Sequence, residues 1–471
     1  MASRTLRVLL ISANTEKLPD PVFPIGAAYM AAVAERAGHE VETLDLCFLE
    51  QAEAAVEEKL RMFAPDVVGI SLRNLDSTSY PDNTSYIDDY RALVDAIRSR
   101  SDAKLVLGGA GLTVMPENIL RLLGAEAGVA GEGEQAFPWI LERFAAGLPL
   151  ESTPEFGCTR AGDGVLVSAA TRIKHLDVTG IPMRQRFDME VYYERGGALN
   201  IQTKRGCMFE CVFCSYPLIE GSKVRMRTAE SVVDEIQAIR EEHGIRHWFF
   251  VDNIFNLPMR HAKAICEEIV RRELDVEWSG YLNPKFIDDE LCALMARSGC
   301  KAIEFGTDAG SATMIENLKK EFDAEDLRRT SRLCHEHGLK FCHSLIFGGP
   351  GETEATVEET IDLMDELQPT AVIAMTGIRI LPGTGMVDIA LRDGQIDPDD
   401  DLVYPRFYIA PTLQGDLISR IEAHARSHAN WIVPGKSIRT NVEILQKLRR
   451  RKIKGQLWRL LRPSVESTPN A

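Results

Sequence analysis

At 471 residues the chain is too long for one ordinary hydrophobic core, and two or three domains are expected. With 45% hydrophobic and 26% charged residues, and no apolar run near the roughly 18 residues that a membrane helix needs, the composition speaks for a globular protein and against a spanning helix. A formal net charge of −16 speaks against broad nucleic-acid binding by the molecule as a whole.

In chain order, the opening MASRTLRVLLISANTE has a short apolar run followed by Asn14 and Glu16, where a cleavage site would want small residues; it predicts a first buried strand rather than a signal peptide. The expected location is therefore the reducing cytoplasm, where Cys47, Cys266, Cys292 and Cys334 read as small core residues rather than disulfide partners. Residues 1–150 alternate short apolar runs (LRVLLIS, HEVETLDL, DVVGISL, KLVLGG, GVAGEGE) with helical patterns, which predicts a parallel, doubly wound α/β sheet of Rossmann-like type. Residues 151–195, with Pro154, Gly157, Gly162, Gly164, Gly180 and Pro182, predict a connector with a small hairpin. From 196 to 395 a second β/α series of six strand-plus-helix units fits a partial (β/α) barrel. Residues 396–471 form a smaller, mainly helical and basic region, in which 436–463 hold ten Lys or Arg against the single acid Glu443. Within it, 447–461 mixes basic residues with Ile453, Leu457, Trp458 and Leu460, so peripheral membrane contact stands beside a solvated helical face interrupted by Gly455.

The stretch RGCMFECVFCSYP sets Cys207, Cys211 and Cys214 in a C-x3-C-x2-C spacing directly after a predicted strand. A structural zinc site wants four closed ligands, yet the next Cys or His after this trio is His243. Three thiolates suit a four-iron, four-sulfur cluster that keeps one iron for an outside ligand; zinc and chance clustering are the alternatives.

With Phe213 before the last cysteine, this loop resembles that of the radical S-adenosylmethionine (SAM) enzymes. The resemblance implies that the trio holds a 4Fe-4S cluster and that Phe213, Asp252, Asp308, Ser311, Gly348 and Gly349 bind SAM. Asp252 would pair with the amino group. Asp308 and Ser311 would reach ribose or methionine, and the glycines would let backbone approach adenine. Asp308 and Ala309 stand where the family's fourth-strand pattern has Glu and Ser. Leu381 to Thr384 resembles its sixth-strand turn.

The first half is similar to the cobalamin-binding domain fused ahead of many such enzymes: Gly108-Gly109, Thr113, Pro116 and Gly131 to Glu134 follow its order. The implied cobalamin neighbours are Asn14, Ser71, Arg73, Gly108, Gly109, Thr113, Gly131 and Glu132, with Asn74 beside them. His39 is the only histidine in residues 1–150 and lacks the D-x-H-x-x-G surroundings of a cobalt ligand, so the lower cobalt face is expected to have no protein imidazole. Together these resemblances imply a class B C-methyltransferase that carries methyl from SAM through methylcobalamin to an unactivated carbon of a small-molecule or lipid-type substrate, fed by a flavodoxin or ferredoxin. A non-methylating cyclase or rearrangement enzyme, and a cobalamin or redox sensor, are the alternatives. Tyr281, Asn283, Glu304, His343 and Arg379 fall near strand ends where substrate would sit. Tyr404, Phe407, Tyr408 and Trp431 are candidates to cap the barrel.

Overall fold

A computed structural model describes residues 4–150, 172–413, 417–434 and 445–462, together with the backbone of short strands at 158–160 and 166–167. In its first sheet β1 (Arg7–Ser12), β2 (Glu40–Asp45), β3 (Val67–Ser71), β4 (Lys104–Gly108) and β5 (Ala127–Val129) run parallel in the order 2-1-3-4-5. The connector supplies the expected hairpin, β6 (Cys158–Arg160) and β7 (Leu166–Val167), which extends this sheet antiparallel to β5. The continuous apolar run of β1 has a simple cause. Val8 and Leu10 pack under helices Ile25–Arg36 and Gly133–Ala145, while Leu9 and Ile11 pack under helices Ala52–Phe63, Ile87–Arg98 and Pro116–Leu123 on the other face. Because β1 lies between β2 and β3, the connections diverge there, and a ligand crevice opens beyond the C-terminal ends of β1 and β3.

The second sheet begins with β8 (Leu199–Ile201), followed by the antiparallel ribbon β9 (Lys204–Arg205) and β10 (Arg225–Met226), which brackets the cysteine loop. It continues as β11 (His247–Phe250), β12 (Glu277–Leu282), β13 (Cys300–Asp308), β14 (Phe341–Phe347) and β15 (Ala371–Thr376), all parallel and separated by helices. A further ribbon, β16 (Ile378–Arg379) with β17 (Phe407–Tyr408), leads to β18 (Trp431–Ile432), which lies parallel to β15. The six expected barrel strands are present. The seventh, β18, comes from the region expected to be helical.

Along β13 the side chains alternate as the pleat requires: Ile303 and Phe305 join the outer core, while Ala302 shares a separate inner cluster with Cys342, Ala371 and Trp458. The C-terminal segment thus reaches the interior of the barrel, where the Trp458 indole N–H donates to Glu304 Oε1 at 3.1 Å. Arg449 pairs with Asp20 at 2.7 Å, and the Gly455 N–H donates to Gly197 O at 2.8 Å. The stretch considered for membrane contact therefore spends Leu457 and Trp458 on the barrel, leaving Leu460 as its exposed large hydrophobe. Among the described residues no helix is long and apolar enough to cross a membrane.

Candidate active site between the two sheets

The loop 206–221 is pinned before it is loaded. Gly206 has φ +96°, and a Cβ there would stand 2.2 Å from Lys223 O, so only glycine fits this turn. Its N–H donates to Glu220 Oε2 at 3.0 Å, and the Cys207 N–H donates to Gly221 O at 3.0 Å. Farther along, the Val212 N–H donates to Leu318 O and Val212 O accepts from the Met386 N–H, tying the loop to both flanks of the barrel. Burial pushes all three thiols up, Cys214 to about 12, and the nearby Lys320 opposes this at each. Free thiols here are neutral, and a bound cationic centre supplies the charge that ionises them.

The donor set discriminates between centres. Among the described residues the three sulfurs do not close to within 4.8 Å of one another, as ligands of a single ion would. At zinc–sulfur bonds of about 2.3 Å, tetrahedral thiolates lie roughly 3.8 Å apart. Three thiolates in this loop suit a four-iron cluster that keeps one iron for an outside ligand.

Several expected SAM residues lie around this loop, but their side chains already have work. Asp252 is buried. Its Oδ1 accepts from the Thr203 N–H at 2.7 Å and the Lys204 N–H at 3.1 Å, and its Oδ2 accepts from the Thr203 hydroxyl at 2.5 Å. It fixes the turn feeding the cysteine loop. Asp308, at φ +61°, is paired with Lys320 at 2.5 Å, and Lys320 lies 5.8 Å from the Phe213 ring centre. Ser311 caps the helix Ala312–Asn317, accepting from the Met314 N–H at 3.2 Å. Gly348 and Gly349 both donate N–H to Glu352 Oε2, the latter at 3.0 Å. Sequence reasoning passed over Lys320 and Glu352. The Glu two positions after Gly-Gly-Pro was the available signal for Glu352; Lys320 had none.

Facing the cysteine loop, a cavity of about 240 Å³ opens at the C-terminal ends of β3, β4 and β5. Ser71, Gly108, Gly109, Thr113, Gly131 and Glu132 line it, opposite Gln202, Arg205, Ile219 and Glu220 beside the cysteine loop. Gly109 has φ +96°, and a Cβ would come 2.4 Å from Leu72 O. Thr113 staples two glycine loops, its hydroxyl donating to Gly109 O at 2.8 Å and accepting from the Gly131 N–H at 3.0 Å. This backbone-walled cleft, with a mainly apolar floor that includes Leu10, Ile70 and Val106, fits the bulky nucleotide tail of a corrinoid. Glu132 contributes wall, but its carboxylate is held by Arg225 at 2.5 Å and by the Ile173 N–H at 2.9 Å. Asn14 is buried against Glu16 O and does not line the cleft.

Arg73 is exposed between the sheets, and its charge reaches both Tyr216 and Tyr281. Those tyrosines lie deep among protein atoms yet are 47% and 42% exposed, so they border an internal space. Tyr281 is opposite Glu304 in the β12–β13 register. Burial raises Glu304 to about 7, and its charge is the main cause holding the Tyr281 hydroxyl well up.

The other strand-end candidates each have partners within the protein. His343 is fully buried and meets the Thr307 hydroxyl at 2.6 Å; Asn283 caps a turn through the Lys285 N–H; Arg379 pairs with Asp76 of the first domain at 2.8 Å. Tyr404 reaches Asp88, Phe407 packs on Tyr80, Tyr408 donates to Asp393, and Trp431 lies in β18. Tyr404 and Phe407 thus tie the C-terminal region to the first domain.

Comparison with known proteins agrees with this geometry. Residues 201–364 match the radical SAM superfamily and residues 11–141 match the B12 binding domain. The chain is 28% identical over 438 residues to tryptophan 2-C-methyltransferase of Streptomyces laurentii, covering 79% of this chain and 73% of that one. It is 25% identical over 469 residues to cytidylyl-2-hydroxyethylphosphonate methyltransferase of Streptomyces wedmorensis, covering 85% and 84%. The structure of a radical SAM methyltransferase from Kitasatospora setae, with cobalamin and a [4Fe-4S] cluster bound, superposes with a TM-score of 0.84 at 26% identity over 97% of each chain.

Proposed function

This chain belongs to the cobalamin-binding branch of the radical SAM superfamily, and from that premise we propose that it methylates an unactivated carbon of a small substrate held between Arg73 and the barrel interior. When bound, the cluster supplies the electron that cleaves SAM, and cobalamin carries the methyl group. One observation supports the reading above all: a single cleft is walled on one side by the glycine loops of the first sheet and on the other by the shoulder of the cysteine loop. Cys207, Cys211 and Cys214 hold the cluster, and Lys320 keeps positive charge beside it. Gly109 and Thr113 shape the corrinoid cleft. Tyr216, Tyr281 and Glu304 face the substrate, with Tyr281 and Glu304 both able to donate a hydrogen bond at neutral pH. Alignment of two cofactors on one enclosed space is what an oriented group transfer requires.

The setting we propose is the cytoplasm, with an external flavodoxin or ferredoxin as electron source. Comparison of extracts from a strain lacking the gene with its parent tests the reaction. The expected result is loss of one metabolite and accumulation of a precursor lighter by one CH2; a precursor of any other mass difference contradicts methylation.

A further inference from the structure

On the outer face of the barrel, away from the site above, Asp365 from helix Glu354–Leu367 meets His424 and His428 from the end of helix Leu417–Ser427. The two histidines are four residues apart, one helical turn, and their rings stack 3.9 Å apart. His424 Nε2 stands 3.7 Å from Asp365 Oδ1, and His428 Nε2 stands 3.9 Å from Asp365 Oδ2. Both separations are too long for hydrogen bonds. The His424 Nε2 atom is buried and has no hydrogen-bond partner.

His428 Nδ1 lies 2.9 Å from the His424 carbonyl oxygen and 3.1 Å from the Ser427 hydroxyl, and these contacts set its ring with Nε2 toward the carboxylate. The three groups hold one ligand atom each within 4.8 Å of one another, and one of those atoms, His424 Nε2, is buried with no hydrogen-bond partner. The carbonyl bond at His428 Nδ1 is the outer-shell contact that orients a ligating histidine.

We propose that Asp365, His424 and His428 form a binding site for a zinc-class divalent ion, with water completing the coordination. Two imidazoles and one carboxylate are borderline ligands of the kind that zinc, cobalt and nickel take. A tetrahedral ion with bonds of about 2.0–2.1 Å places its ligand atoms roughly 3.3 Å apart, so small rotations of the partly exposed Asp365 and His428 side chains close the site. The site has a structural consequence. His424 packs edge-on against Trp431 of β18 at 4.5 Å, so the ion fastens the seventh strand and its helix to the barrel.

The experiment uses full-length protein reconstituted anaerobically with its cluster, stripped of loosely held metal, and titrated with zinc chloride alone. Zinc, iron and sulfide per chain and the thermal midpoint are measured. The expected result is about one zinc per chain and a raised midpoint. His424→Ala, His428→Gln and Asp365→Asn each weaken zinc binding at least tenfold and leave iron and sulfide unchanged. A variant with Cys207, Cys211 and Cys214 all changed to Ala keeps its zinc, which separates this site from metal captured by the cysteines. Zinc binding that survives His428→Gln together with Asp365→Asn, that disappears with the cysteines, or that is absent from the wild type overturns the proposal. Circular dichroism identifies any variant that fails to fold; His428→Gln, at the most exposed ring, carries the test in that case.

Discussion

Glu304 is a carboxylate held inside a barrel, and its consequences can be worked out from one residue. Its ordinary value of 4.5 is raised to about 7 by burial, with the Trp458 indole as the opposing influence. In the unfolded chain it ionises above 4.5; in the folded chain it stays protonated to about 7. Its contribution to stability is therefore fully present below 4.5 and is lost as pH rises to about 7. Glu304→Gln, which keeps an acceptor for Trp458, is expected to be more stable than the parent at pH 8 by roughly 3 kcal/mol, with no difference below pH 4.5. Denaturant titrations at both ends of this window check the sign. The cysteines give the other prediction at this scale. Replacing any one of Cys207, Cys211 or Cys214 by Ala should reduce bound iron and sulfide to background while far-ultraviolet circular dichroism stays that of the parent.

At the scale of elements, glycine loops do what side chains cannot. A methyl group at Gly109 would meet the Leu72 carbonyl oxygen at 2.4 Å, against backbone that cannot step aside, so Gly109→Ala should lower cobalamin content severalfold and leave the cluster intact; corrinoid and iron assays on one sample check this. At the Gly348–Gly349 turn, Glu352→Ala removes the acceptor of two amide groups and should weaken SAM binding by tenfold or more, measured by equilibrium dialysis on cluster-loaded protein. Much of this was legible. Short apolar runs alternating with helical patterns located the strands of both sheets, and the cysteine spacing and G-G-x-x-x-T order singled out the two candidate binding loops. What was not legible was which polar side chains the fold itself would consume. Asp252, Ser311 and Glu132 carry the residue types of ligand contacts, and the fold also gives them a turn, a helix cap and an ion pair, through partners distant in sequence or through local backbone geometry. β18 escaped because a two-residue strand has no periodicity to detect.

For the whole molecule, the two sheets present their C-terminal ends to each other, and buried ion pairs hold them there. Arg205 joins Glu134 at 2.6 Å, Arg225 joins Glu132 at 2.5 Å, and Arg379 joins Asp76 at 2.8 Å, every partner 10% exposed or less. Removing one partner strands a buried charge, so Arg205→Ala should cost about 3–5 kcal/mol and reduce cobalamin retention along with stability. The central claim is that cobalamin and the cluster act together on SAM in the space these pairs enclose. The most direct measurement is conversion of methyl-labelled SAM to S-adenosylhomocysteine by anaerobically reconstituted protein, with and without cobalamin. The account predicts S-adenosylhomocysteine formation that requires cobalamin, and 5′-deoxyadenosine formation in the same sample that requires the intact cysteine trio. S-adenosylhomocysteine formed at an equal rate without cobalamin, or 5′-deoxyadenosine formed by protein with Cys207, Cys211 and Cys214 replaced, would contradict it.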